Sequence, residues 1–385
     1  MRSPDQAVDC HPFPLSVFYS APGQNGFLGS VFYFALPGYP GPVIAEWLCR
    51  RGRGGYCPAE TELRCSARRV VARPEDASVE ISRSVVTMST AGLFVLVAGI
   101  AARRRELRRG PAIERAIALG RVFVAAPLAT FGGLHLAAAN GLMQMVPAWM
   151  PWRLFWAYLV GFALIATALS LISGRLVRWA ALLAGAMLLA FVATIHVPIV
   201  VANMHDRFAW AVLLRDTAFA AGLLALAGSR ASTAASPAAG WARLVTPSRL
   251  AFAVVALFFA VEHFLHPEFA PAVPLERMTP WWAMAPRMWG YSVGAVLLGS
   301  GALLLVNRWA REAAAWLGIA VTVVVLVIYV PMLWPAHGTD QVVEAIDYVA
   351  DTLLFAGTAL ILAEALGADV QGEGQASGIR LGSSD

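Results

Sequence analysis

Two apolar runs of this chain carry the same signature, Trp156-Ala157-Tyr158-Leu159-Val160-Gly161 and Trp289-Gly290-Tyr291-Ser292-Val293-Gly294, so that W-x-Y-x-x-G occurs twice. The match extends well beyond six residues. From Gly161 to Pro198 and from Gly294 to Pro331 the distance is 37 residues, and each proline follows a valine. An Asp-Thr pair stands in the next apolar run of each copy, Asp216-Thr217 and Asp351-Thr352, and a histidine precedes each tryptophan, His135 by 21 residues and His263 by 26. A signature repeated at this spacing predicts one supersecondary unit used twice.

The unit belongs in a membrane. Hydrophobic residues make up 58% of the 385 and charged residues 14%, against about 25% charge in a soluble domain. The formal charge of +5 comes from arginine alone, because the sequence has no lysine. No basic helix or aromatic-basic interleaving of the kind that holds nucleic acid is present, which excludes that partner. Cys10, Cys49, Cys57 and Cys65 all precede residue 66. Their spacing is neither C-x-x-C nor that of a zinc finger, and none lies in the duplicated part, so no metal site is expected.

Read in order, residues 1–84 hold no sustained periodicity; Pro37, Pro40 and Pro42 interrupt the apolar stretch Phe27 to Trp47. The change of character near Met88 is that of a bacterial membrane-protein start, with the preceding segment an unstructured or spurious extension. Residues 85–102 are just long enough for an additional span before Arg103-Arg104-Arg105 stops them. The first unit, 112–228, is expected to contain spans near 116–139, 154–173, 177–198 and 208–228. The second, 249–366, is expected to contain 249–265, 288–306, 311–334 and 346–366. An Ala/Ser/Pro-rich linker, 229–248, joins them, and the Gly-rich residues 367–385 read as a disordered tail. The predicted fold class is therefore all-α, a polytopic transmembrane helical bundle of two parallel four-helix repeats plus a further N-terminal span.

Arginine sets the expected orientation. Arg103 to Arg109, Arg175 with Arg178, Arg230 with Arg243 and Arg249, and Arg308 with Arg311 fall at alternate connections, which places those connections and the C-terminus in the cytoplasm. Trp149, Trp152, Trp281 and Trp282 then occupy the outer headgroup layer. An even number of spans gives both units one orientation, so an axis along the membrane normal relates them.

The residues resemble the DoxX-like family of bacterial integral membrane proteins, whose members are four-helix units. Gly120-Arg121-Val122-Phe123, Phe131-Gly132-Gly133-Leu134-His135, Val146-Pro147-Ala148-Trp149-Met150-Pro151 and W-x-Y-x-x-G carry the likeness in the first copy. Val261-Glu262-His263, Met278-Thr279-Pro280-Trp281 and the second W-x-Y-x-x-G carry it in the other, which departs in loop length and at the opening Gly-Arg. The resemblance covers residues 112–366. It implies the bacterial inner membrane, and in some relatives a likeness to the membrane subunit of a thiosulfate:quinone oxidoreductase.

Ionisable residues inside spans need partners or a polar cavity. His135 and His263 are candidates for proton relay or cofactor ligation, or else anchor helix ends; Tyr158 is the expected partner of His135, and His266 shares a helical face with His263. His196, Val197 and Pro198 match Tyr329, Val330 and Pro331, where proline frees a backbone carbonyl. The strongest charged constellation is Arg215-Asp216 with Asp347 and Asp351. The last two share a face and need a cation or a proton beside them. Arg215 points about 100° away from Asp216 on a helix, so its partner is expected on another helix or in the Asp206-Arg207 turn.

Asp216 and Asp351, with the two histidines, are the acid–base candidates. Tyr158, Tyr291, Trp156, Trp289 and His196 are the candidates to hold a cofactor. No cofactor motif is evident; a quinone suits the setting, whereas haem is disfavoured because His196 has no histidine counterpart. Three functions fit. One is a membrane protein binding quinone or another small apolar molecule between helices. The second is a membrane subunit of a sulfur compound:quinone oxidoreductase that requires a redox partner subunit. The third is a small-molecule transporter, which the lack of a broken span at midplane disfavours.

Overall fold

The structure, a computed structural model, describes residues 74–229, 243–273, 277–336 and 339–381, and their side chains from 83 to 229, 243–273, 277–336 and 341–367. All four cysteines and most of the segment read as an unstructured extension, 1–73, lie outside the described residues. Every main element is a helix: α1 (Pro74–Ala102), α2 (Ala112–Ala137), α3 (Arg153–Ser173), α4 (Val177–Phe191), α5 (Arg207–Ser229), α6 (Val245–Leu265), α7 (Pro286–Leu305), α8 (Ala310–Val324) and α9 (Thr339–Leu381). Among the described residues nine helical segments are long and apolar enough to cross a membrane. In hydrocarbon an unpaired peptide group costs several kcal/mol, so a chain of such runs must close its hydrogen bonds within each helix.

Three boundaries differ from those expected. Residues 74–84 continue α1 upstream, so the helix begins well before Met88. At the other end α9 runs on to Leu381, through the Gly-rich segment expected to be a loose tail, and nothing in that composition accounts for the helix. Helix α6 starts at Val245, which puts Arg249 inside the helix rather than in a connection. Its guanidinium is buried and donates to the carbonyls of Leu304 and Leu305 at the end of α7, satisfying groups that a helix C-terminus leaves open.

The helices form a ring in chain order from α2 to α9. Each packs on the next, and α9 closes on α2, while α5 and α9 touch across the middle. Burial follows this plan. About four-fifths of the apolar window of α2, α5 and α9 is buried (83%, 78% and 83%), whereas α3 and α4 bury only 33% and 22% and present the rest outward. Without a hydrophobic force between helices in lipid, close approach depends on small residues. A Cβ added to Gly120 would meet Leu360 Cβ at 2.7 Å, one on Gly357 would meet the Phe123 carbonyl carbon at 2.7 Å, and one on Gly222 would meet Thr358 Cβ at 2.8 Å. Gly120 and Gly357 bring α2 and α9 together, and Gly222 brings α5 to α9. Phe123 is also the residue whose carbonyl Pro127 leaves without its usual helical donor.

Helix α1 lies against α2, with further contact to α9 and α3. Gly92 faces Thr130, Gly99 faces Val122, and Gly133 faces the Thr87 backbone. Counting back from His135 and His263, the α2 positions Val122, Ala126, Thr130 and Gly133 correspond to Leu250, Val254, Phe258 and Val261 of α6. There the side chains are large, and Leu250, Val254 and Val261 are exposed. Small residues make a seat for α1 on α2, and bulky ones occupy the matching face of α6, which points out of the bundle.

Backbone conformation recurs at one offset. Left-handed residues Trp152, Gly174 and Leu176 are followed, 133 residues on in each case, by Ala285, Asn307 and Trp309. A π-helical turn, Val192–His196, follows α4, and another, Val325–Tyr329, follows α8, again 133 residues on. Pro198 and Pro331 have no N–H for the carbonyl four residues back, and each helix widens instead, with Val197 N–H reaching Val192 O and Val330 N–H reaching Val325 O.

Candidate functional site

The seam between α5 and α9 holds the most polar part of the interior. Both helices read D-T-x-x-x-A-G, Asp216 to Gly222 and Asp351 to Gly357, and the glycines allow the approach that sets the two aspartates near one guanidinium. Arg215 is fully buried. Its Nε donates to Asp216 Oδ1 at 3.0 Å and its Nη1 to Asp351 Oδ2 at 2.8 Å. The expected partner on another helix is thus Asp351, but Asp216 is a partner as well, because the long arginine stem folds back over its neighbour. Arg215 Nη2 also lies 3.0 Å from Asp216 Oδ1, without hydrogen-bond alignment.

This pair is deep. Eight residues separate Arg207 from Arg215 and ten separate Gln341 from Asp351. At ~1.5 Å per residue that is roughly 12–15 Å, close to half of a hydrocarbon core of about 30 Å.

The two π turns deliver different groups to the same region. His196 Nε2 meets Asp216 Oδ2 at 3.0 Å. Tyr329 is fully buried beside Tyr348, with ring centroids 6.2 Å apart, and its hydroxyl donates to Pro271 O at 2.8 Å. A widened turn moves a side chain around the helix by more than a quarter turn, so the proline two residues on is what aims each group.

His135 and His263 prove to be fixed helix-end groups. Their Nδ1 atoms pair with the carbonyl four residues back, Phe131 O at 2.9 Å and Phe259 O at 2.6 Å. His263 Nε2 accepts from Ala272 N–H at 2.9 Å, which assigns its proton to Nδ1 and uses both nitrogens. Each histidine also explains the repeated glycine: a Cβ on Gly161 would meet His135 Cβ at 2.9 Å, and one on Gly294 would meet His263 Cβ at 3.0 Å. The expected partnership of His135 with Tyr158 is replaced by this backbone bond, and Tyr158 and Tyr291 are exposed on the outer faces of α3 and α7. Trp156 is half-buried and donates to Pro151 O at 2.9 Å; Trp289 is half-buried against the core. Thus neither the tyrosines nor the tryptophans join the Arg215 cluster. His266, expected on the face of His263, instead follows the last turn of α6 and lies 3.7 Å from Glu268.

A hairpin-like segment covers the end of the bundle above the cluster. Ala270 N–H bonds Arg277 O at 2.7 Å, Thr279 N–H bonds Glu268 O at 2.8 Å, and Ala270, Ala272 and Val273 are buried. Two ion pairs hold this segment and the helix ends beneath it. Arg207 pairs with Glu262 at 3.0 Å with its guanidinium over Phe269, and Arg277 pairs with Glu344 at 3.1 Å with its own over Tyr348. Asp206 caps α5 through the N–H groups of Phe208 and Ala209. At the opposite end Arg121 and Glu364 join α2 to α9, and Arg311 and Glu114 join α8 to α2.

The sequence singled out Asp216, Asp351 and His196, which come together, and the Asp206-Arg207 turn, whose arginine pairs with Glu262 instead; it did not single out Arg277 or Glu344, whose signal was a charge at the edge of an apolar run. Among the described residues no group of three or more His, Cys, Asp or Glu side chains is placed to hold a metal ion. Two carboxylate oxygens, Asp347 Oδ1 and Asp351 Oδ1, are buried with no hydrogen-bond partner among the described residues, and this is what the site offers chemically: acceptors beside a buried cation. No family model, no curated protein and no solved structure matches the chain.

Proposed function

We propose that this chain is a multi-pass protein of the bacterial inner membrane, built from two parallel DoxX-like four-helix units with α1 added to the first, and that it binds a small, largely apolar molecule between helices at the α5–α9 seam. The recurrence of left-handed residues and π turns at an offset of 133 supports the duplicated architecture. Arginines at alternate connections support a cytoplasmic C-terminus.

The observation that carries the binding reading is the Arg215 cluster. A buried polar group without a partner costs about 1–3 kcal/mol, and an interior that leaves Asp347 Oδ1 and Asp351 Oδ1 open suits a ligand whose polar head donates to them. A quinol has that form: two hydroxyl donors on an apolar ring, with an isoprenoid tail suited to the space between helices. His196 and Tyr329, brought in by the π turns, border the same region.

The test is to purify the full chain in mild detergent, extract bound small molecules and identify them by mass spectrometry, beside Asp351→Asn. The expected result is a near-stoichiometric quinone or other apolar compound from the wild type and less than a tenth as much from the folded variant. Recovery of equal amounts from both, or of bulk phospholipid alone, overturns the reading.

A further inference from the structure

Helix α9 carries Glu344, Asp347 and Asp351 at spacings of three and four residues, one acidic stripe along a single face. It starts at partly exposed Glu344, under the hairpin, and descends to fully buried Asp351 beside Arg215. The charges around it do not balance. On α5, Arg215 is committed to Asp216 and Asp351, and Arg207 to Glu262 of α6. On the hairpin, Arg277 is committed to Glu344. From the end of α4, His196 is bonded to Asp216; on α6, His263 is neutral because Nε2 accepts a hydrogen bond; from the end of α8, the Tyr329 hydroxyl donates to a carbonyl. Asp347 is 3% exposed, and among the described residues no arginine or histidine forms an ion pair with it. Its Oδ1, and the Oδ1 of Asp351 one turn below, are the acceptors left open.

We infer that Asp347 and Asp351 form a binding site for a small monovalent cation, an alkali ion or a protonated amine, reached from the hairpin end along the Glu344 side of α9. An uncompensated carboxylate is among the most expensive groups to bury, and a positive charge between Asp347 and Asp351 offsets much of the excess left by Arg215, which already serves Asp216 and Asp351. Calcium takes more oxygen ligands than two carboxylates offer, and magnesium keeps several of its waters, for which an interior this buried has little room, so a weakly held monovalent ion fits better. The ion would hold the same two oxygens that suit a quinol head, so the two are alternative occupants of one site, and the cation response is read whether or not a quinone is recovered.

The experiment uses the full chain in detergent at constant ionic strength, with choline chloride replaced stepwise by sodium, potassium or methylammonium chloride. The thermal midpoint is read from tryptophan fluorescence. The expected result is a saturable rise of roughly 2–4 °C at a hundredfold excess over the dissociation constant. Response to sodium or potassium identifies an alkali-ion site, and response to methylammonium alone identifies an amine site. In Asp347→Asn the rise disappears; in Arg311→Gln, at the opposite end of the bundle, it persists. A midpoint equal to that in choline for all three cations overturns the inference whatever the variants do, as does a full response in folded Asp347→Asn.

Discussion

Gly161 and Gly294 show how much rests on one missing methyl group. Each allows its helix to pass within contact distance of a histidine Cβ on the preceding helix, and a branched side chain there must push α2 from α3 or α6 from α7. Gly161→Val and Gly294→Val are expected to destabilise by about 1–3 kcal/mol, measured as lower accumulation in membranes and a lower thermal midpoint. Gly299→Val meets nothing within 4 Å and serves as the neutral comparison; an equal loss there would mean that helix–helix contact is not the cause. Arg215 calls for a different argument. Replacing it with methionine keeps most of the volume but leaves Asp216 and Asp351 uncompensated in the interior, a loss of about 3–5 kcal/mol. Arg215→Met should therefore fail to accumulate, Asp351→Asn should accumulate nearly as well as wild type, and the double variant should recover much of the loss. Quantitative immunoblotting of membrane fractions decides this, and an Arg215→Met protein as abundant as wild type would contradict it.

Among the elements, α1 is the one whose presence depends on a neighbour's small residues. Its seat consists of Val122, Ala126, Thr130 and Gly133 on α2, met by its own Gly92 and Gly99. Gly133→Leu drives a side chain into the Thr87 backbone and is expected to lift α1 from the bundle without unfolding the ring. Met88, fully buried in the intact protein, reports the change: Met88→Cys should resist a membrane-permeant maleimide, and should label at least several-fold faster when Gly133→Leu is added. Unchanged labelling would show that α1 is held in another way. The π turns are a second case. Pro198 and Pro331 are visible in any reading of the chain, but whether a proline kinks, frays or widens a helix depends on what stands beside it.

For the whole molecule, the ring order gives α5 and α9 the central position and leaves α3, α4 and α7 with broad outward faces. Among the described residues nine helical segments are long and apolar enough to cross a membrane, and arginines at alternate connections predict one topology for them. Reporter fusions after Ser173, Ala234 and Asn307 should report cytoplasm, and fusions after Asn140, Asn203 and Thr279 the outside. Two or more on the wrong side would reject the map. The Ala234 fusion is the most informative, since it joins the two halves and its side fixes the relative orientation of the helices before and after it.

Much of this was open to inspection in the chain itself. Apolar runs of about 20 residues admit only helices in a bilayer, so the helical class and the approximate spans follow from hydropathy; the two W-x-Y-x-x-G runs raise the expectation of a repeat, and the left-handed residues and π turns recur at the same offset of 133. The partners were not readable. Periodicity says which residues share a helix face but not which helix that face meets. Only packing decided that Arg215 joins Asp216 to Asp351, that Tyr158 and Tyr291 look outward, and that His263 spends both ring nitrogens on backbone groups. Helix contacts in lipid are governed by small residues and hydrogen bonds rather than by an apolar stripe, because every face of a membrane helix is apolar.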